Sequence, residues 1–281
     1  MYSMESLGKE TIAMVLAGGK GERLSPLTLR RAKPSVAFGG KYKIIDFVLS
    51  NLFNSGIKKV YILTQYRAYS LNKHLRESWG KWTGLGEFYV GISPETSSES
   101  EEWFKGTAAA ILQYWRFVES SDADYVAIFG GDHIYKMDVT QMINFHRVNK
   151  SDITIAALEV PVEEACRYGV FSVDEDARVT AFTEKPEIPE RIPGRETCFA
   201  SMCNYIFTTR KLIEVLKEGK KIHADLDVGK HVIPMMLAKN DWVFAYNIND
   251  NALPRMKSEE RGYWRGGMIL SVYCEAISEL V

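Results

Sequence analysis

The sequence predicts an α/β fold, with a mostly parallel, mixed β-sheet flanked by helices. Three observations carry that expectation. Short apolar runs end in glycine or polar residues, as buried parallel strands do. Segments with apolar residues at helical spacing separate those runs. No clean linker divides the 281 residues, so the two halves are expected to share one continuous sheet.

The elements follow in order. "TIAMVLA" (Thr11–Ala17) is a short apolar run stopped by glycines and reads as the first strand. Ile45, Val48, Leu49, Leu52 and Phe53 then fall on one helical face, and "NSG" (Asn54–Gly56) ends that helix. "KKVYILT" (Lys58–Thr64) is the second strand, and helices are expected near Ala68–Ser78 and Thr107–Glu119. Between these helices lie Trp79, Trp82 and "SPETSSESEEW" (Ser93–Trp103), read as a long exposed loop: either a substrate-covering flap or a solvated excursion. "YVAIFGGD" (Tyr125–Asp132) is a third strand with a polar end. After Asp152 the strands are expected at Ile153–Val160, Tyr168–Val173, Val179–Lys185 and Phe199–Phe207, with helices near Arg210–Lys217 and Val228–Leu237.

Composition narrows the function classes. Hydrophobic residues make up 46% and charged residues 25%, enough for a real core. With 35 basic and 36 acidic side chains there is no global field for nucleic acid or an anionic membrane, so neither is an expected partner. Any phosphate ligand must be met locally. Cys166, Cys198, Cys203 and Cys274 show no metal-site spacing and read as reduced thiols. The charged start "MYSMESLGKE" lacks the apolar core of an export signal, and no run approaches a bilayer span, so a cytoplasmic location is expected.

"VLAGGKGERLSPLT" (Val15–Thr28) is the most informative stretch. It fails the dinucleotide pattern G-x-G-x-x-G, because Leu24 stands at the third glycine and Pro26 follows. It fails the Walker A pattern too, since Gly21 follows Lys20 and Met14 replaces the first glycine. What remains is a strand ending in G-G-x-G-x-R-L. Its glycines let main-chain N–H groups approach an anion, and Arg23 adds a fork that matches phosphate. "RRAKP" (Arg30–Pro34) adds three positive charges close by. Asp132 ends an apolar strand after two glycines, where ligands of α/β sheets sit.

With these residues in view, "LAGGKGERLSPLTLRRAKPSVAFGGKYKIIDFVLSNLFNSGI" resembles the signature of the sugar-nucleotide pyrophosphorylases, and within them the ADP-glucose pyrophosphorylase (glucose-1-phosphate adenylyltransferase) family. Further matches run in order: "TQY" (Thr64–Tyr66), "WFKGTA" (Trp103–Ala108), "GDHIYKMD" (Gly131–Asp138), "YGV" (Tyr168–Val170), "EKP" (Glu184–Pro186), "ASM" (Ala200–Met202) and "YWR" (Tyr263–Arg265). The resemblance implies a Rossmann-like nucleotidyltransferase domain over residues 1–281, with a nucleotide-binding half (10–150) and a sugar-phosphate half (151–265). It implies ATP and glucose 1-phosphate as substrates, ADP-glucose and pyrophosphate as products, Mg²⁺ as cofactor and a place in glycogen or starch-type synthesis.

Residue by residue, the resemblance implies that Leu16, Gly18, Gly19, Gly21, Gly106 and Thr107 hold the nucleotide. Arg23 would bind the departing pyrophosphate, Lys33 would brace phosphate and Asp132 would ligate the metal, these three forming the catalytic set. Gly169, Glu184, Lys185 and Ser201 would meet the sugar phosphate, and His133 is read as structural or supporting rather than as a base.

Three departures qualify that expectation. The family's G-T-A-D reads Gly106-Thr107-Ala108-Ala109 here. Its "YWRDVGT" reads "YWRGGMI" (Tyr263–Ile269), so Gly266 replaces a second metal-binding aspartate, and weaker metal binding and turnover are expected. The resemblance fades across Gly267–Val272. The family's C-terminal β-helix domain, which supports homo- or hetero-tetramers and allosteric response, is expected to be absent, although Arg30 lies near family activator positions. Two alternatives stay open at this point: a catalytically impaired nucleotide- or sugar-phosphate-binding subunit, and a pyrophosphorylase that uses another nucleotide.

Overall fold

The computed structural model describes residues 8–80, 90–92, 106–257, 260–266 and 269–279. The long loop expected at Ser93–Trp103, and Trp82 before it, lie outside the described residues.

The first half alternates strands and helices. β1 (Thr11–Ala17) is followed by two short paired strands, β2 (Ala37–Phe38) and β3 (Tyr42–Lys43), and by helix α1 (Ile45–Asn54). Then come β4 (Lys59–Thr64), α2 (Tyr69–His74), β5 (Val90–Ile92), α3 (Thr107–Gln113), α4 (Trp115–Glu119), β6 (Tyr125–Gly130), β7 (Ile134–Tyr135) and α5 (Val139–Val148). The helix expected at Thr107–Glu119 is thus two helices, broken at Tyr114, whose φ of −107° leaves the helical range. Strands β1, β4, β5 and β6 are parallel, with β1 between β4 and β6.

The second half completes the same sheet. It contains β8 (Ile153–Pro161), α6 (Val162–Ala165), β9 (Gly169–Val173), β10 (Val179–Glu184), β11 (Thr197–Thr208), α7 (Thr209–Ile222), α8 (Ile233–Ala238) and β12 (Val243–Asn247). A short strand β13 (Trp264–Arg265) and helix α9 (Leu270–Ser278) follow. β11 runs antiparallel to β6 on one side and to β8 on the other, and it also meets β9. A nine-stranded mixed sheet therefore runs through both halves, as the missing linker implied.

Alternation along β1 explains why both faces are covered. Ile12 and Met14 point to one face and pack with Ile111 of α3, Leu212 and Leu216 of α7 and Met236 of α8. Ala13, Val15 and Ala17 point to the other and pack with Leu49 of α1, Leu71 of α2 and Met142 of α5. A strand buried on both faces must be apolar throughout, and six of its seven residues are fully buried. No helix among the described residues is long and apolar enough to cross a membrane.

Candidate active site

The carboxyl ends of β1, β4 and β6 open into a cavity of about 790 Å³. Side chains and main chain from both halves of the molecule line it. This is where an open α/β sheet accommodates ligands, because the loops leaving parallel strands diverge there.

β1 delivers the glycine loop to one end. Leu16, Gly18, Gly19, Gly21 and Arg23 all line the cavity. Hydrogen bonds within the stretch hold the loop. Gly21 (φ 64°) starts the tight turn Glu22–Leu24, its carbonyl accepts from Thr28 Oγ1 at 2.9 Å, and Leu24 is buried. Arg23 is exposed.

Lys33 and Asp132 form the centre. Lys33 begins a short 3₁₀ turn with Pro34 in its second position, and its side chain is 9% exposed. Its Nζ donates to Asp132 Oδ2 at 2.7 Å. Asp132 is set by β6, since the N–H of Gly131 bonds Leu16 O of β1 at 2.9 Å. Burial alone would raise the Asp132 carboxyl, but the Lys33 ammonium and His133 outweigh it and hold its pKa at about 2. His133 Nε2 stands 3.3 Å from Asp132 Oδ1. Burial pushes the imidazole below its ordinary range despite that carboxylate, so His133 is neutral at pH 7. Its Nδ1 is buried without a partner among the described residues, and Trp264 meets the ring edge-on at 5.3 Å.

Gly106 and Thr107, at the start of α3, join this centre to the second half. Gly106 has φ 106°, and a Cβ there would stand 2.2 Å from Leu226 O, so only glycine fits. The Thr107 hydroxyl donates to Asp227 Oδ2 and accepts from the Val228 N–H, both at 3.0 Å. The N–H of Ala109 bonds Leu226 O at 2.9 Å, so the departure at Ala109 leaves the main-chain tie in place. Asp227 also caps the helical turn Val228–Val232, accepting from Gly229 and Lys230 N–H at 3.0 Å.

β9, β10 and β11 supply the other end. Glu184 pairs opposite Gly169 in the β9–β10 ladder, and Lys185 Nζ lies 3.0 Å from Glu184 Oε1. Gly169, Glu184 and Lys185 line the cavity. Ser201 does not reach it. It is buried in β11, where its Oγ accepts from Cys203 N–H at 3.2 Å and donates to the Tyr205 phenol Oη at 3.4 Å. The β11 register shifts between Ser201 and Tyr205, and Cys203 (φ 55°) turns outward to line the cavity in its place.

Gly266 is buried beside the cavity, and a Cβ there would lie 2.0 Å from the Trp264 ring. The indole of Trp264 therefore fills the space a larger residue would need. No group of three or more metal-ligating side chains occurs among the described residues.

Sequence reasoning missed several lining residues: Gln65 and Tyr66 after β4, Arg167 and Tyr168 before β9, and Asp227. Three had a readable signal. Gln65 and Tyr66 follow the end of a parallel strand, and Asp227 has the residue type and position of a helix N-cap.

This cleft, with a glycine loop at one end and a Lys–Glu pair at the other, has recognisable relatives. Residues 12–266 match the family described as Nucleotidyl transferase. The chain is 77% identical, over all 281 residues, to a glucose-1-phosphate adenylyltransferase of Trichlorobacter lovleyi, covering 68% of that protein. It is 78% identical over the same span to the enzyme of that name from Geobacter metallireducens, again covering 68% of it. With the one from Thermus thermophilus it shares 46% identity over 278 residues, 97% of this chain and 67% of the relative. The first two alignments run through residues 267–281, past the stretch where the motif resemblance fades. A strand-end glycine loop, a strand-end aspartate and these matches lead to one conclusion: the chain belongs to the nucleotidyl transferase family.

Proposed function

We propose that this protein is a glucose-1-phosphate adenylyltransferase, making ADP-glucose and pyrophosphate from ATP and glucose 1-phosphate for glycogen or starch-type synthesis. The observation that carries this reading is the continuous cleft, which has cations at both ends and the Lys33–Asp132 pair between them. Residues 10–150 are the nucleotide half and residues 151–265 the sugar-phosphate half.

The chemistry is a single displacement. A phosphate oxygen of glucose 1-phosphate attacks the α-phosphorus of ATP, the new P–O bond forms, and the bond to the β-phosphate breaks to release pyrophosphate. The nucleophile is already ionised, so positioning and charge stabilisation matter more than a general base. Neutral His133 fits that requirement. Main-chain N–H groups of Gly18, Gly19 and Gly21 cradle the triphosphate, with Leu16, Gly106 and Thr107 along the nucleotide. Arg23 takes charge on the departing pyrophosphate, and Lys33 neutralises charge at the reacting phosphate. Glu184 accepts from sugar hydroxyls beside Gly169, and Lys185 pairs with the sugar phosphate. Ser201 acts from beneath, by holding the bulge that shapes this end.

The donor set also suits Mg²⁺, which takes one or two carboxylates, substrate phosphates and water. Asp132 would hold the ion, its side chain being one-third exposed and each carboxylate oxygen keeping a second lone pair. When bound, the ion neutralises the charge of the polyphosphate. The four free cysteines suit a reducing compartment, consistent with a cytoplasmic enzyme.

The test is pyrophosphate release with Mg²⁺, glucose 1-phosphate and each nucleoside triphosphate in turn. Release with ATP supports the proposal, and release only with another nucleotide overturns the base assignment. Gly266 favours a second reading, a binding subunit with little turnover. ATP binding without release from any nucleotide is its signature.

A further inference from the structure

We infer that Arg167 is a substrate-binding residue, its guanidinium gripping the phosphate of the sugar phosphate beside Lys185. This rests on the function proposed above and assigns that function a further specificity residue.

A charge census of the cavity points to it. Among the described residues, the cations on its wall are Lys20, Arg23, Lys33, Arg167 and Lys185. Three are engaged by carboxylates: Lys33 by Asp132 at 2.7 Å, Lys185 by Glu184 at 3.0 Å and Lys20 by Glu22 at 3.9 Å. Neither Arg23 nor Arg167 has a side-chain hydrogen bond or ion pair among the described residues. Arg23 belongs to the glycine loop, so the sugar end has one guanidinium of its own.

Backbone pairing brings Arg167 next to Lys185. Glu184 stands opposite Gly169, and the Lys185 N–H then bonds Tyr168 O at 3.0 Å. Arg167 is one residue further along, in the turn that leads into β9. Its own N–H is tied to Glu164 O at 3.2 Å, which anchors its main chain while the side chain remains exposed.

The chemistry needs such a group. A sugar 1-phosphate brings up to two negative charges, and it must approach a triphosphate carrying more. A Lys–Glu pair 3.0 Å apart has no net charge, so Lys185 alone does not neutralise that dianion. A guanidinium adds a permanent charge and two parallel donors matched to phosphate oxygens.

The experiment is steady-state kinetics of the whole chain with Arg167→Ala and Arg167→Lys, with Arg178→Ala as a surface control. Arg178 lies outside the cavity, against Trp242. In Arg167→Ala the KM for glucose 1-phosphate should rise roughly ten- to a hundredfold, the scale of a lost charged hydrogen bond. The KM for ATP should change less than about twofold, since uniform binding to one substrate is what is removed. Arg167→Lys should recover part of the loss. An unchanged KM for glucose 1-phosphate in Arg167→Ala, or an equal rise for both substrates, overturns the inference. If the unmutated chain releases no pyrophosphate, the functional reading fails separately, and calorimetric titration with glucose 1-phosphate then decides the role of Arg167. Weaker binding in Arg167→Ala supports it, and equal binding or none in either protein overturns it.

Discussion

The ammonium of Lys33 stands 2.7 Å from Asp132 Oδ2, tying the segment after the glycine loop to the end of β6. Replacing Lys33 by Met removes the strongest influence holding the Asp132 carboxyl down, leaving burial to push it up. Its titration, followed by carboxyl NMR, should move upward from about 2. Turnover should fall by about 10²–10³, the scale for losing one preorganised charge stabiliser. The stability sign follows from the depressed value. Asp132 contributes above its ordinary 3.8, and the contribution is lost as pH falls toward about 2. Denaturant titrations between those pH values should show that acid loss in the parent and not in Lys33→Met.

Thr107 and Asp227 link the nucleotide end to the turn that begins at Val228. Thr107→Val keeps the shape but leaves Asp227 and the Val228 N–H short of a partner. Denaturant unfolding should report a loss of about 1–2 kcal/mol, with most of it regained in Thr107→Ser. Unchanged stability in the valine variant would mean that water replaces the hydroxyl.

Gly266→Asp tests the space beside Trp264. With a Cβ 2.0 Å from the indole, the ring must move. Without Mg²⁺ the variant should be less stable by about 1–3 kcal/mol, the usual cost of overpacking. With Mg²⁺ and substrates, its half-saturating Mg²⁺ concentration should fall below that of the parent. A variant as stable as the parent would show that the ring has room to turn aside.

His146, which does not line the cleft, is a pH element. Thr208 Oγ1 donates to Ser151 O at 2.8 Å, so it accepts from His146 Nε2–H at 3.0 Å, and Thr154 Oγ1 donates to Nδ1 at 2.9 Å. This neutral tautomer is complete, and burial lowers the imidazole from 6.5 to about 3. An imidazole whose folded value is depressed favours unfolding as pH falls from 6.5 toward 3, where the unfolded chain takes the proton first. Stability should drop with a slope of up to about 1.4 kcal/mol per pH unit from this group. His146→Gln should flatten the slope between pH 6.5 and 5, with His133 supplying part of what remains.

Features written in local pattern were legible in the sequence. β1 with its glycine loop, and β6 with Asp132 beyond it, follow from apolar runs with polar stops. Ser201 was not legible in this way. Alternation along "FASMCNYIF" places its side chain on a face, but a register shift with Cys203 at φ 55° exchanges which residue meets the cavity. Asp227 shows the same limit, since a capping aspartate becomes part of the site only because Gly106 brings α3 against it. The break at Tyr114 was hidden because both sides of it keep helical spacing.

The unbroken sheet has a consequence for how such a protein can change its chemistry. β6 leads to Asp132 just beyond its end and bonds directly to β11, which carries Cys203, so a ladder of main-chain hydrogen bonds fixes the span between the two ends. Side chains at the β9–β10 edge can be exchanged for those that fit another acceptor while that span stays constant. The acceptor is then a replaceable part, and the reach from donor to acceptor is inherited.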